Sequence, residues 1–150
     1  MGSIAITGSA SGMGAATKAR LESNGHRVIG VDQRDADIVA DLSSADGRRT
    51  AIEGVHRLAD GSLDGLVTFA GMGPLPGRAG SLLVSVNYFG TVELLSGLRD
   101  LLAAGTDAAT SAGGMPGCVV VEFELIATAA ASVPAASSSR RPPSSSTVPK

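Results

Sequence analysis

Thr7-Gly8-Ser9-Ala10-Ser11-Gly12-Met13-Gly14 follows a short apolar run over residues 3–6 and opens a helix-like segment over residues 15–23. Its glycines, Gly8, Gly12 and Gly14, therefore punctuate a strand-to-helix turn. Gly8 is suited to a positive φ where the strand ends. A glycine in such a turn lets a phosphate approach the backbone N–H groups, and another lets the helix pack tightly on the strand. The helix N-terminus presents unpaired N–H donors and about half an elementary positive charge, a ready site for a pyrophosphate. A second apolar strand over residues 27–31 ends on Asp32, 18 residues past Gly14, where a ribose-binding acid is expected. No Gly-Lys-Ser/Thr follows the glycines, which excludes a nucleotide-triphosphate P-loop.

The spacing Thr-Gly-x-x-x-Gly-x-Gly resembles the coenzyme fingerprint of the short-chain dehydrogenases/reductases. Within that family the run Val86-Asn87-Tyr88-Phe89-Gly90-Thr91-Val92-Glu93-Leu94-Leu95 resembles the long helix of the group containing 3α-hydroxysteroid dehydrogenases and carbonyl reductases. The resemblance covers about residues 3–121. It implies a Rossmann-type α/β fold, a parallel sheet of strand order 3-2-1-4-5 with helices on both faces. It also implies NAD as coenzyme, with Gly8, Ser11, Gly12, Met13 and Gly14 at the pyrophosphate turn. Asp32 is assigned to the adenosine ribose, Asp41 and Leu42 to the edge of the adenine, and Ala70 and Gly71 to the nicotinamide ribose. Asn87 matches the catalytic Asn, whose backbone carbonyl props a water in the proton relay. A turn-forming Asp and an ordinary helix-surface Asn are the alternative readings of Asp32 and Asn87. The carboxylate of Asp32 would repel a 2′-phosphate, and Ser11 stands where NADP-using relatives often carry a basic residue. Both favour NAD over NADP, while Arg34 is the one group able to swing toward a phosphate.

The totals bound the rest. A chain of 150 residues fits one domain, expected over residues 1–126, with an Ala/Ser/Pro-rich tail over residues 127–150 expected to be disordered. Only 3% of residues are aromatic, so the core must be aliphatic and alanine-rich. The net charge of −2, with no basic cluster before the tail, argues against nucleic acid as a partner. A single cysteine, Cys118, excludes an internal disulfide and fits a reducing, cytoplasmic setting. No apolar run reaches the roughly 18 residues needed to span a bilayer. Neither His26 nor His56 has a second His or Cys at metal-ligand spacing, so no metal is expected and both read as surface residues.

Hydrophobic periodicity places the remaining elements. Residues 14–24 read as a helix stopped by Asn24-Gly25, with Ala15, Ala16, Ala19 and Leu21 on the sheet and Lys18, Arg20 and Glu22 in solvent. Residues 37–42 read as a third strand. Residues 46–58 read as an amphipathic helix, N-capped by Ser44, with Ile52, Val55 and Leu58 inward. Residues 63–69 form a nearly continuous apolar run, as expected of a buried parallel strand. Residues 81–104 carry the longest helical pattern, with Leu82, Val86, Phe89, Leu94, Leu98 and Leu101 on one face and Gly105 as its stop. Residues 106–116 then read as loop and residues 118–121 as the start of a fifth strand, expected to be an unprotected edge. Tyr88 reads as a packing residue.

Family members interconvert secondary alcohols and ketones, using a Ser and a Tyr-x-x-x-Lys pair, and form homo-oligomers through the long helix. Here the departures matter. The family's Asn-Asn-Ala-Gly is replaced by Thr68-Phe69-Ala70-Gly71, and no Tyr-x-x-x-Lys is present. The lysines are Lys18 and Lys150, neither placed to pair with Tyr88. Two function classes follow: an NAD-dependent oxidoreductase represented by its coenzyme-binding half, and a catalytically inactive dinucleotide-binding or partner-binding module. A third is a fragment that neither folds well nor binds. The abrupt change after Val121 into low-complexity Ala, Ser, Arg and Pro suggests an out-of-frame reading, which the coding DNA around the Val121 codon tests.

Overall fold

A computed structural model of the protein describes residues 1–110 and 119–122. The chain runs β1 (Ser3–Thr7), α1 (Gly12–Ser23), β2 (Arg27–Asp32), β3 (Ile38–Val39), α2 (Ala45–Leu58), β4 (Leu63–Thr68), α3 (Gly80–Val84), a π-helical turn (Ser85–Phe89), α4 (Gly90–Gly97), β5 (Leu102–Thr110) and β6 (Val119–Glu122). Among the described residues these strands form one sheet of order β3-β2-β1-β4-β5-β6. The first five are parallel neighbours, with Ile6 opposite Gly30 on one side and Val67 on the other. The expected 3-2-1-4-5 order is present, extended by β6, which pairs antiparallel to β5.

Strand alternation decides which helix covers which face. Ile4, Ile6 and Val28 pack with Leu21 of α1, while Ala5, Ile29, Val31 and Leu66 join Val55 of α2 and Leu94 of α4 in the larger core. Helices thus cover both faces, as parallel strands require. Gly14 of α1 is buried, and its close approach to the Gly8 backbone brings the start of the helix against the end of β1.

Several sequence-based expectations are corrected. The run over residues 81–104 is not one helix: the π turn interrupts it, it stops at Gly97 with Leu98 as C-cap, and Gly105 lies inside β5. Leu98 and Leu101 are buried as expected, but from a turn, and the Leu101 carbonyl accepts the Leu63 N–H at 2.7 Å. An apolar run with small residues suits a buried strand as well as a helix, and pairing with β4 decided it. Residues 106–110 are therefore strand rather than loop. The fifth parallel strand lies at Leu102–Thr110, not at residues 118–121, and it is not an edge because β6 covers it. The third strand is only Ile38–Val39. On the long helix Leu82 and Phe89 are exposed rather than inward, and Tyr88 is 58% exposed, touching Phe89 edge-on instead of packing inside.

On α1 the inward stripe is Gly14, Thr17, Lys18 and Leu21, spaced i, i+3, i+4, i+7, so Ala16 and Ala19 face solvent and Lys18 does not. His56 is half-buried, its Nε2 2.9 Å from the Gly97 carbonyl, and His26 Nδ1 accepts the Gly2 N–H at 3.3 Å, so neither is a free surface residue. Cys118, the loop expected over residues 111–116 and the tail expected over residues 127–150 lie outside the described residues.

Lys18 Nζ reaches Asp37 Oδ2 at 3.0 Å, and the same oxygen accepts the Gly30 N–H at 2.7 Å. Because β3 is two residues long, this side chain completes the edge of β2 where the ladder has ended. Burial pushes the Asp37 carboxyl up, but the Gly30 N–H and the Lys18 ammonium together outweigh it and hold it below the usual carboxylate range. A folded-state value below the unfolded one contributes stability above the unfolded value, and that stability is lost as pH falls through the folded one. Asp37→Asn is thus expected to lower urea stability by roughly 0.5–1 kcal/mol above pH 5, given the partial exposure of the pair. The difference should close as the pH is taken below about 4. A difference that stays constant from pH 6 to pH 3 contradicts this role.

Candidate coenzyme cleft

The turn quoted at the outset is built as three different glycine environments. Gly8 ends β1 at φ +71°, and a Cβ on it would lie 2.8 Å from the Ala70 backbone nitrogen, so the ends of β1 and β4 meet here. Gly12 has φ +54° and nothing within 4 Å of where its Cβ would be. Gly14 is buried against Gly8, whose carbonyl oxygen would lie 2.0 Å from a Cβ. Ser11 is the N-cap of α1 without a side-chain cap bond, and no acid occupies the first turn. The first-turn N–H groups and the helix dipole are thereby left to an outside anion. Met13, exposed at 61%, sits on the same turn.

Asp32 holds this turn to β2. Its Oδ2 accepts the Ala10 N–H at 2.9 Å and its Oδ1 accepts the Gln33 N–H at 2.7 Å. Each carboxylate oxygen keeps a further lone pair for a hydroxyl. Gln33 in turn donates through Nε2 to Asp41 Oδ1 at 3.1 Å, which also accepts the Ser43 N–H at 2.9 Å. The Ser43 N–H, then its hydroxyl, with Gln33 adding to them, hold the Asp41 carboxyl below the usual carboxylate range against the effect of burial. Asp41 is exposed at the rim, and Leu42 beside it is buried.

Between these groups lies a cleft of about 150 Å³ at the C-terminal ends of the strands, lined by Ser11, Val31, Asp32, Gln33, Ala40, Leu42, Ala70, Gly71, Met72 and Val86. Ser11, Asp32, Leu42, Ala70 and Gly71 therefore line one surface. Gly8, Gly12, Met13, Gly14 and Asp41 border it through the loops just described but do not line it. Sheets of this order bind ligands at the point where strand order reverses, here between β1 and β4.

Asn87 lies in the π-helical turn, behind the Ala70-Gly71-Met72 segment. Its Oδ1 accepts the Met72 N–H and its Nδ2 donates to the Met72 carbonyl, both at 2.9 Å. The side chain is therefore committed to the loop. Its backbone carbonyl lies within the helix and accepts the Thr91 hydroxyl at 3.0 Å.

Sequence reasoning missed several contributors. Thr7 Oγ1 accepts the Ala70 N–H at 3.1 Å and is 1% exposed, tying β1 to the loop after β4. Val31, Gln33, Ala40, Met72 and Val86 complete the lining. Arg48 is buried beside the Asp41–Leu42 segment, its Nη1 donating to the Leu42 carbonyl at 3.0 Å and its Nε to Glu93 Oε2 at 2.7 Å. A signal for Arg48 did exist: it shares the stripe of Ala51, Val55 and Leu58 at helical spacing, on which a charged residue needs partners. Among the described residues no three His, Cys, Asp or Glu side chains converge to hold a metal ion, and no helix is long and apolar enough to cross a membrane.

No family model matches the chain. The 3-alpha-hydroxysteroid dehydrogenase/carbonyl reductase of Comamonas testosteroni is 47% identical over 105 residues, covering 70% of this chain and 40% of that protein. The coniferyl-alcohol dehydrogenase of Pseudomonas sp. is 38% identical over 109 residues, covering 68% and 40%. The chain thus spans about 40% of the length of these curated relatives. Among solved structures, the 3-alpha-hydroxysteroid dehydrogenase from Pseudomonas sp. B-0831, complexed with NADH, superposes with a TM-score of 0.63 at 46% identity, covering 73% of this chain and 46% of that one. With the glycine turn and the parallel sheet in place and a relative 47% identical over 70% of this chain, the chain belongs to the short-chain dehydrogenase/reductase family.

Proposed function

We propose that this chain is the coenzyme-binding part of an NAD-dependent oxidoreductase acting on secondary alcohols and ketones, of the hydroxysteroid type. The open space beside Gly12, at an uncapped helix N-terminus, is the observation that carries the dinucleotide reading. A bound phosphate fills that space, and the N–H groups of the turn meet its charge. Asp32 takes the ribose hydroxyls, Asp41 and Leu42 edge the adenine, and Ala70 and Gly71, small and held by Thr7 and Asn87, admit the nicotinamide half. Nicotinamide supplies hydride transfer when bound. The negative charge of Asp32 supports NAD over NADP, and the single Cys118 supports a cytoplasmic setting.

NADH fluorescence titration tests this reading. Gly12→Asp, which fills the open space with a negative side chain, is expected to abolish binding. Asp32→Ala should weaken NADH about tenfold or more, through lost hydrogen bonds to a charged acceptor, and should narrow the preference over NADPH. Equal affinity of the unmodified chain for NADH and NADPH contradicts the role given to Asp32.

A second reading, a dinucleotide-binding module without turnover, is favoured by one observation. Tyr88 is exposed with its ring against Phe89, and Lys18 is held by Asp37 on the far side of the sheet, so no Tyr/Lys pair forms among the described residues. The long helix also presents Leu82, Val84, Tyr88, Phe89 and Val92 to solvent, all at least 37% exposed. This face supports homo-oligomer formation, since an apolar patch of this kind is usually covered. Sedimentation of the parent chain should show a self-associated species, and Phe89→Glu should shift it to monomer. A parent that stays monomeric at high concentration sinks the assignment.

A further inference from the structure

The buried guanidinium of Arg48 has no part in the coenzyme site as described so far, yet from α2 it ties the Leu42 segment to Glu93 of α4 and to Phe89. It is 7% exposed. Nη1 donates to the Leu42 carbonyl at 3.0 Å, Nε donates to Glu93 Oε2 of α4 at 2.7 Å, and the guanidinium carbon stands 5.8 Å from the centre of the Phe89 ring. The neighbouring Gly47 lies so close to the Asp41 carbonyl oxygen that a Cβ would come within 1.9 Å, so the first turn of α2 is pressed onto the same backbone. On the other side Leu42 lies against α4, its Cβ 3.5 Å from where a Cβ on Gly90 would stand, an ordinary packing distance.

We infer that Arg48 is a positioning residue for base recognition: by holding the Leu42 carbonyl between α2 and α4 it orients the Asp41–Leu42 backbone that faces the adenine. This rests on the dinucleotide reading above. The reason for an Arg here is geometric. A planar fork serves a backbone carbonyl and a carboxylate at once, whereas a Lys ammonium is a point charge on a flexible stem. A buried guanidinium also needs partners: Glu93 and the Leu42 carbonyl take two of its N–H groups, and Glu93 balances its charge. The consequence for recognition follows from Asp41. Its ionised carboxylate accepts hydrogen bonds and cannot donate them. It therefore favours a base edge bearing an amino group over one bearing an oxo group, provided that the backbone keeps it in place.

The test compares NADH with reduced nicotinamide hypoxanthine dinucleotide, which carries an oxo group where adenine has its amino group and an N1–H where adenine has a lone pair. Both are titrated by fluorescence against the parent, Arg48→Met and Arg48→Lys, at a temperature where circular dichroism shows each variant folded. The parent is expected to prefer NADH by roughly tenfold, as a site built around one polar pattern rejects the other. Arg48→Met should bring that ratio close to one, and Arg48→Lys should lower it severalfold while keeping a charge opposite Glu93. If Arg48→Met does not fold, the Lys variant decides. A ratio unchanged in the folded variants, including an equal loss for both dinucleotides, overturns the inference and leaves Arg48 a purely structural residue. A parent that binds both dinucleotides equally overturns it as well, because nothing then reads the base. A parent that binds neither overturns the dinucleotide reading itself, and the role of Arg48 with it.

Discussion

Gly14→Ala is expected to cost the chain most of its stability and all of its NADH binding. The added methyl carbon would stand 2.0 Å from the Gly8 carbonyl oxygen and 2.7 Å from the Gly8 carbonyl carbon. Both obstacles are backbone, so no side-chain rotation relieves the overlap. Either α1 moves off β1 or the turn between them opens. Overpacking a well-packed core typically costs about 1–3 kcal/mol, and a clash between two backbones belongs at or above the top of that range. A domain whose whole stability is on the order of 5–15 kcal/mol loses a large part of it. Gly12→Ala is the informative control. It has open space for its methyl group and meets only the cost of a left-handed conformation, about 1–2 kcal/mol. Urea unfolding of the two variants separates the effects. If Gly14→Ala unfolds at the same urea concentration as the parent, the close approach of α1 to β1 is not what the turn depends on.

The second large effect is an absence of turnover. With NAD and a panel of secondary alcohols, residues 1–150 are expected to bind coenzyme and to oxidise nothing at a useful rate. General acid–base catalysis typically supplies about 10² to 10⁴-fold, and among the described residues no Tyr/Lys pair is present to supply it. Tyr88 is its only tyrosine, exposed on the long helix, and Lys18 is occupied by Asp37 and Glu22. Asn87 holds the Met72 loop through its side chain, and its carbonyl accepts the Thr91 hydroxyl, so it has no proton to release. Steady-state absorbance at the nicotinamide band measures this directly. Robust turnover that Tyr88→Phe removes would show that the exposed tyrosine is the acid after all.

The out-of-frame reading of the residues after Val121 stands on the sequence alone, since residues beyond 122 lie outside the described structure. Sequencing the coding DNA checks it. A second frame that encodes no Tyr-x-x-x-Lys beyond the Val121 codon ends the idea.

Local rules were enough wherever the neighbours in space are also neighbours in the chain. A strand followed by Gly-x-x-x-Gly-x-Gly and a helix has few ways to fold, so Gly8, Gly12 and Gly14 could be given distinct places in one turn before any coordinate was known. Asn24-Gly25 stopped α1 at the expected residue, with Gly25 at φ +85°, and the Ser44 hydroxyl caps α2 by accepting the Gly47 N–H at 3.0 Å. The sheet order did not follow from local rules: it was implied by the family resemblance, and right-handed crossovers only restrict how such an order is connected. Tertiary structure alone decided what depends on distant partners. The apolar residues from Leu98 onward satisfy a helix or a strand equally, and hydrogen bonding of Leu63 to the Leu101 carbonyl settled them toward the sheet. Lys18 looked solvated because its neighbours on α1 are polar, yet the two-residue length of β3 left Asp37 to complete β2, and Asp37 drew the ammonium inward. For Arg48 the sequence shows its place on the apolar stripe of α2 but not its partners: the carbonyl and the carboxylate lie 6 and 45 residues away, and what compensates a buried charge is legible only once those groups have been brought to its side.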